Sequence, residues 1–373
     1  MNSNQNEPAK PPVKISTKPK NKKLLTVLLI ILGVLILGVV GYVVYKRYFS
    51  PEKIATVNIK KSDKIANGLD GTLVSPDLAN RHTLGIIVEN HPDARPQVGL
   101  DKASIVYEAI SEGGITRFLA MYGPNNADKV GPVRSARTYF VDWVSEYNAF
   151  FAHCGGNLDA LDKVKSDNIL DLDQFAVGDA AYWREPKPGI ASEHTLFTST
   201  DKLYNVAKEK NWPQAADFQA YKFIKEQTKG TTAGKVTIDF SSASYKVDWS
   251  FDSATGNYLR NMAGAAHKDA TSGEQLTAKT IIIQSVERRE ATTSIGENGW
   301  AMTAIGTGKA IVISNGTKTD ATWKKDARTS RTLFYDAQNK EIQYLPGKFW
   351  IEITPPDVFD KVKVEPITAA PTQ

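Results

Sequence analysis

Two arginines three positions apart, Arg134 and Arg137, stand in "VGPVRSARTYFVDW", after a Gly-Pro and before an amphipathic run. A guanidinium grips a phosphate or carboxylate with two parallel hydrogen bonds. A helix beginning near Ser135, a residue type favoured at N-caps, would add free backbone N–H groups beside them. Cations at that end oppose the helix dipole unless an anion sits there. Internal ion pairs with Glu108, Glu112 or Asp142 satisfy the same pattern, so an anion site and internal pairing both stay open. Arg117, inside an expected strand, joins the cluster.

Glu108 and Glu112 are candidate catalytic groups, because paired carboxylates can run acid–base chemistry. They can equally balance the three arginines. His153 and Cys154 precede Gly155 and Gly156. Neighbours on a strand point to opposite faces, so His153 and Cys154 make no nucleophile pair, and Cys154 reads as a small buried residue. His153 is the candidate ligand-binding residue there, with glycines that permit close backbone approach. The loop "ENHPDARP" carries Asn90, His91, Asp93 and Arg95, and "SEHTLF" adds His194. Two or three histidines could share a metal with Asp93, but their spacing matches no known ligand pattern, so no metal and no cofactor are expected. The chain has no Walker loop, Rossmann glycine pattern, nucleophile elbow or HExxH motif.

The elements that must position these residues follow from periodicity. "LGIIVE" (84–89) reads as a strand. Ile105–Ile110 and Ile115–Tyr122 follow, joined by the turn "SEGG". "KVGPV" (129–133) and "AFFAHC" (149–154) read as further strands. Phe140, Val141, Trp143, Val144 and Tyr147 form a helical stripe over 136–148. "NLDALDKVKSDN" and "TSTDKLYNVAKEKNW" read as helices, the second capped by Thr198 or Ser199. After Thr228–Gly234 alternating strands dominate, as in Val236, Ile238, Phe240 and then Tyr245, Val247, Trp249, Phe251. The expected fold class is α+β, with a mixed α/β layer domain at 81–227 followed by a mostly antiparallel β domain at 228–365, a sandwich or open barrel. Residues 366–373 read as a frayed end.

Leu24–Tyr45 holds 22 residues without a charge. At ~1.5 Å per residue it spans ~33 Å, enough to cross a bilayer core. It is too long for a signal-peptide core, and no small-residue cleavage site follows. Residues 1–23 carry six lysines against one glutamate, which puts the N-terminus in the cytoplasm and everything after Tyr45 outside. Residues 46–80 read as a polar spacer. The formal charge of +5 is supplied entirely by that N-terminal tail, so no basic domain face for nucleic acid is expected. The tail itself suits anionic lipid headgroups. The one cysteine excludes an internal disulfide.

The run of Asn90, Pro92, Arg95, Pro96, Gly99, Glu112, Gly113, Gly114, Thr116, Arg117, Arg134, Ser135, Arg137, His153 and Gly156 resembles the YerB-like family of bacterial envelope proteins. The later stretch from "TSGEQLTAKTIII" to "GKFWIEITP" resembles that family's separate C-terminal domain. The likeness covers roughly residues 80–365. It implies an N-terminal domain of unknown function and brings no reaction with it. This chain departs from some relatives in using a spanning anchor instead of a lipid. A weaker likeness, in outline only, links the anchor, the Pro-x-Arg turn and the Gly-Gly to the LytR-CpsA-Psr wall ligases.

Three functional readings follow. One is a membrane-anchored, extracytoplasmic binding protein of a Gram-positive-type envelope that holds an anionic ligand or partner through Arg117, Arg134, Arg137, His153, Asn90, Arg95 and His194. The second is a phosphoryl or glycosyl-phosphate transferase on polyprenyl-pyrophosphate-linked precursors, with Glu112 or Glu108 as base. The third is a scaffold whose arginines are structural.

Overall fold

A computed structural model describes residues 22–48 and 64–368. The basic tail up to residue 21, the middle of the expected spacer (49–63) and the last residues (369–373) lie outside the described part. Lys22–Tyr48 forms a continuous helix, α1, of 27 residues. Within it, Ile30–Arg47 has a mean hydropathy of 1.9, long and apolar enough to cross a membrane.

Residues 64–368 are one compact body, separate from α1. Its frame is a ten-stranded sheet. The strands, in chain order, are β1 (Leu84–Glu89), β2 (Ile105–Ile110), β3 (Thr116–Tyr122), β4 (Phe150–His153) and β5 (Leu170–Asp173), then β6 (Thr280–Ser285), β7 (Gly306–Ser314), β8 (Thr317–Lys325), β9 (Leu333–Tyr335) and β10 (Phe349–Thr354). Across the sheet they run β9-β8-β7-β6-β10-β2-β3-β1-β4-β5. β10 pairs parallel with both β6 and β2, and β4 pairs parallel with β1 and β5. The other ladders are antiparallel.

β1, β2, β3 and β10 are buried at every position, because the sheet is covered on both faces. Leu84, Ile86, Val106, Phe118, Ile281 and Trp350 enter one core. Ile87, Tyr107, Leu119, Ile282 and Ile351 enter the other, by the period-2 alternation of strands. Over the first face lies a second, antiparallel sheet whose main strands are Lys235–Asp239, Lys246–Asp252 and Asn257–Met262, edged by Lys363–Glu365. Over the second face lies helix α2 (Thr138–Val144). Helices α3 (Leu158–Ser166) and α4 (Thr200–Glu209) complete the layers, and Ser199 caps α4 by accepting from Lys202 N at 3.3 Å. The fold is α+β, with a mixed sheet and an antiparallel one.

Several expectations are corrected. The division at 227/228 marks no structural boundary: β6 to β10 come from the C-terminal segment and extend the sheet started by β1 to β5. The C-terminal strands therefore form no separate sandwich or barrel. A fully buried strand offers two apolar faces and a sequence-independent backbone edge, so its pattern does not name its neighbour. Residues 64–80 are not spacer. Leu69 is 3% exposed and packs in the second core, and Asn67 and Asp70 are buried and bonded to each other at 2.6 Å. "KVGPV" makes only isolated bridges, Val130 to Thr198, Gly131 to Val98 and Val133 to Val88. Helix α2 starts at Thr138 with Arg137 at its N-cap position, not at Ser135, and the turn Ser145–Tyr147 continues it as a 3-10 helix. The free N–H groups of the helix start therefore lie from Thr138 onward, beside Arg137 and three residues after Ser135.

Candidate functional site

The β2–β3 turn places Glu112 at the surface. Gly113 (φ 64°) and Gly114 (φ 74°) adopt the left-handed backbone that the turn requires. Glu112 then meets two of the arginines. Arg137 donates from Nε to Glu112 Oε1 and from Nη2 to Oε2 at 2.8 Å, a bidentate pair. Arg117 Nη2 lies 3.9 Å from Oε2, while its Nη1 donates to Ser135 O at 2.8 Å. Burial alone would raise the Glu112 pKa. The hydrogen bonds and charge of Arg137, helped by Arg117, outweigh it and hold the carboxyl at about 2. Arg117 is pushed down to about 10, first by burial and then by the like charge of Arg137.

Glu112 faces a hollow of about 300 Å³. The hairpin Arg288–Thr292/Asn298–Met302 supplies the other wall through Glu290, Thr292, Asn298 and Trp300. A side-chain carbon at Gly299 would sit 3.3 Å from Glu112 Oε1, so the hairpin lies close over the carboxylate. A wider hollow of about 430 Å³, near Asp77, Arg81 and Tyr204, contains none of the residues singled out by sequence.

Arg134 belongs to a second cluster. Its Nε lies 3.2 Å from Glu89 Oε1 and its Nη2 donates to Glu193 Oε1 at 2.7 Å. Glu89 also accepts from His194 Nδ1 at 2.8 Å, and His194 stacks on His91 with ring centroids 4.7 Å apart. Arg134 and Arg137 are thus each matched by carboxylates. Glu89 and Glu193 were not picked from the sequence, and nothing local in "LGIIVEN" or "SEHTLF" pairs them with Arg134.

The remaining candidates are built into the body. His153 is fully buried. Its Nε2 lies 3.0 Å from Asp171 Oδ1 and its Nδ1 lies 2.9 Å from Gly155 O. Asn90 is equally buried, donating to Thr116 Oγ1 at 2.7 Å and accepting from Arg95 Nε at 3.0 Å. Arg95 also donates to Ser244 O at 2.8 Å and lies over the Tyr245 ring. The Cys154 thiol is pushed up by burial, which disfavours the nucleophilic thiolate.

Glu108 lies in a sealed network that sequence reasoning missed. Arg260 donates from Nη2 to Glu108 Oε2 and from Nη1 to Glu352 Oε1 at 2.9 Å. All three are 0% exposed. Arg260 is also stacked near Trp350 and Trp249, at 4.2 and 5.1 Å. Glu352 sits opposite Glu108 on β10 and β2 and accepts from Trp249 Nε1 at 2.8 Å. Burial raises Glu352 to about 8. Arg260 opposes the rise and the Glu108 charge adds to it. One guanidinium cannot balance two buried carboxylates, so one keeps its proton.

The arrangement suits binding better than proton transfer. A carboxyl held at about 2 is a weak base at neutral pH, and Glu108 has no path to solvent.

The family description "Protein of unknown function (DUF3048) N-terminal domain" matches residues 69–213, and the corresponding C-terminal domain matches residues 236–351. The chain belongs to the DUF3048 family. The two DUF3048 segments meet in one sheet, since β10 of the second segment pairs with β2 of the first. Over 298 residues the chain is 28% identical to "Putative lipoprotein YerB" of Bacillus subtilis (strain 168), covering 78% of this chain and 87% of that protein. The crystal structure of YerB protein from Bacillus subtilis superposes with a TM-score of 0.72 at 27% identity, covering 81% of this chain and 100% of that one.

Proposed function

We propose that this DUF3048 protein is a membrane-tethered, extracytoplasmic envelope protein that binds a wall-derived ligand in the hollow between Glu112 and the hairpin Arg288–Met302. Support for the tether comes from the length and apolarity of α1, from the basic N-terminal flank that favours a cytoplasmic N-terminus, and from the similarity to a protein named as a lipoprotein. The observation that carries the binding site is the Glu112 carboxylate. It is held charged and oriented by Arg137 and opens onto the hollow with Glu290, Thr292, Asn298 and Trp300. Carboxylates, an amide, a hydroxyl and an indole suit a ligand rich in hydroxyl and N–H donors, as a wall glycan is. The expected anion site on Arg134 and Arg137 finds less support, because each guanidinium already has a carboxylate.

The test is co-sedimentation of the full chain in detergent micelles with purified wall sacculi, before and after acid removal of phosphate-bearing polymers. Binding that survives polymer removal and weakens about ten-fold or more in Glu112→Gln supports the glycan reading. Binding lost with the polymers and strengthened by Glu112→Gln, which frees Arg137, would replace it by the anionic-ligand reading. No binding in either arm, with folding intact, would leave the scaffold reading in its place.

A further inference from the structure

His82, His153 and His267 are buried at 1%, 0% and 6% exposure, and each has its own hydrogen bond. The other two histidines come from distant loops to one place. β1 ends at Glu89, and His91 then starts the 3-10 turn Pro92–Ala94, accepting from Asp93 N at 3.2 Å. That turn sets Asp93 beside His91, with 3.7 Å between Nδ1 and Oδ2. His194 ends the 3-10 turn Ser192–His194 and is tied back to β1 through Glu89. One ligand atom from each of His91, Asp93 and His194 lies within 4.8 Å of the others.

We propose that His91, Asp93 and His194 form a binding site for a divalent transition metal of the zinc type. Two imidazoles and one carboxylate are a nitrogen–oxygen donor set that such borderline ions prefer and that calcium and magnesium do not. Glu89 completes the arrangement found around metal-bound histidines. Its carboxylate takes Nδ1–H of His194 and leaves Nε2 without a hydrogen-bond partner among the described residues. The local charge also favours a cation, because Asp93, Glu89 and Glu193 oppose the single guanidinium of Arg134. Access exists: the side chains of His91 and Asp93 are 32% and 55% exposed.

The imidazoles stack at 9° between planes, so their lone pairs run side by side and do not meet. Closing on an ion requires His91 to turn out of the stack, which its exposure allows. The site rests on this cluster alone and does not depend on the Glu112 hollow.

The experiment is titration of the chelator-treated full chain in micelles with Zn²⁺ by calorimetry, and with Co²⁺ by visible absorption. The expected result is saturation at one equivalent, with Co²⁺ bands displaced by Zn²⁺. His91→Ala and Asp93→Asn, both on an exposed turn, should weaken binding at least ten-fold while thermal unfolding is unchanged. Glu89→Gln should weaken it ten- to a hundred-fold through His194 (~10–100-fold for such outer partners). Absence of saturable binding would overturn the proposal. So would binding that His91→Ala leaves unchanged, since the ion would then sit on Cys154 or on scattered carboxylates.

Discussion

Replacing the buried carboxyl Glu352 by its amide, Glu352→Gln, is expected to stabilise the body at neutral pH. In the folded protein burial lifts Glu352 from 4.5 to about 8, against the pull of Arg260. A carboxyl whose folded pKa is raised gives stability that is complete below pH 4.5 and lost as pH rises toward 8. Over that window the native state holds one proton that the unfolded chain has released. The loss is about 1.4 kcal/mol per pH unit, and near pH 7 it amounts to roughly 3 kcal/mol. Glutamine carries no such pH-dependent cost. Its carbonyl can still accept from Trp249 Nε1 and Arg260 Nη1, and its amide can donate toward Glu108. Urea unfolding at several pH values between 5 and 8, followed by tryptophan fluorescence, tests this, because all seven tryptophans lie in the body. The stability of the parent should fall relative to that of Glu352→Gln as pH rises. Parallel pH profiles for the two proteins, or a variant less stable than the parent at pH 7, would refute a protonated Glu352.

The same network predicts that Arg260→Met destabilises the body by about 3–5 kcal/mol, since it leaves a buried Glu108 charge unbalanced, and chemical denaturation will show it. The pairing of Glu112 with Arg137 gives stability that is complete above pH 4.5 and fades as pH falls toward 2. Between pH 4.5 and 2 the stability of Arg137→Gln should therefore fall less steeply than that of the parent, as acid unfolding will show. Leu69→Ala should cost about 2–5 kcal/mol in thermal or urea unfolding if residues 64–80 belong to the core, and nothing measurable if they are tether. His153→Ala should cost about 2–4 kcal/mol while binding at the Glu112 hollow is retained, which separates its structural place from a ligand role.

Much of the local structure was legible in residue order. The charge-free run of α1, the apolar runs of β1 and β2, the glycine turn beside Glu112 and the Ser199 cap all depend on interactions within a few residues. The α+β class and the DUF3048 relationship follow from the same local patterns. Glu112 was readable as a site candidate because its turn and its acidity are local.

Only tertiary structure decided which charges meet and which face water. Arg137 could have taken Glu108, Glu112 or Asp142; the turn geometry chose Glu112, and the sealed Glu108 went to Arg260, 152 positions away. Placing β10 between β6 and β2 united two segments that read as separate domains, because backbone ladders carry no sequence label and β10 is buried on both faces. The meeting of His91 with His194 was equally invisible in residue spacing. It depends on Glu89, at the end of one buried strand, reaching a turn 105 positions further along the chain.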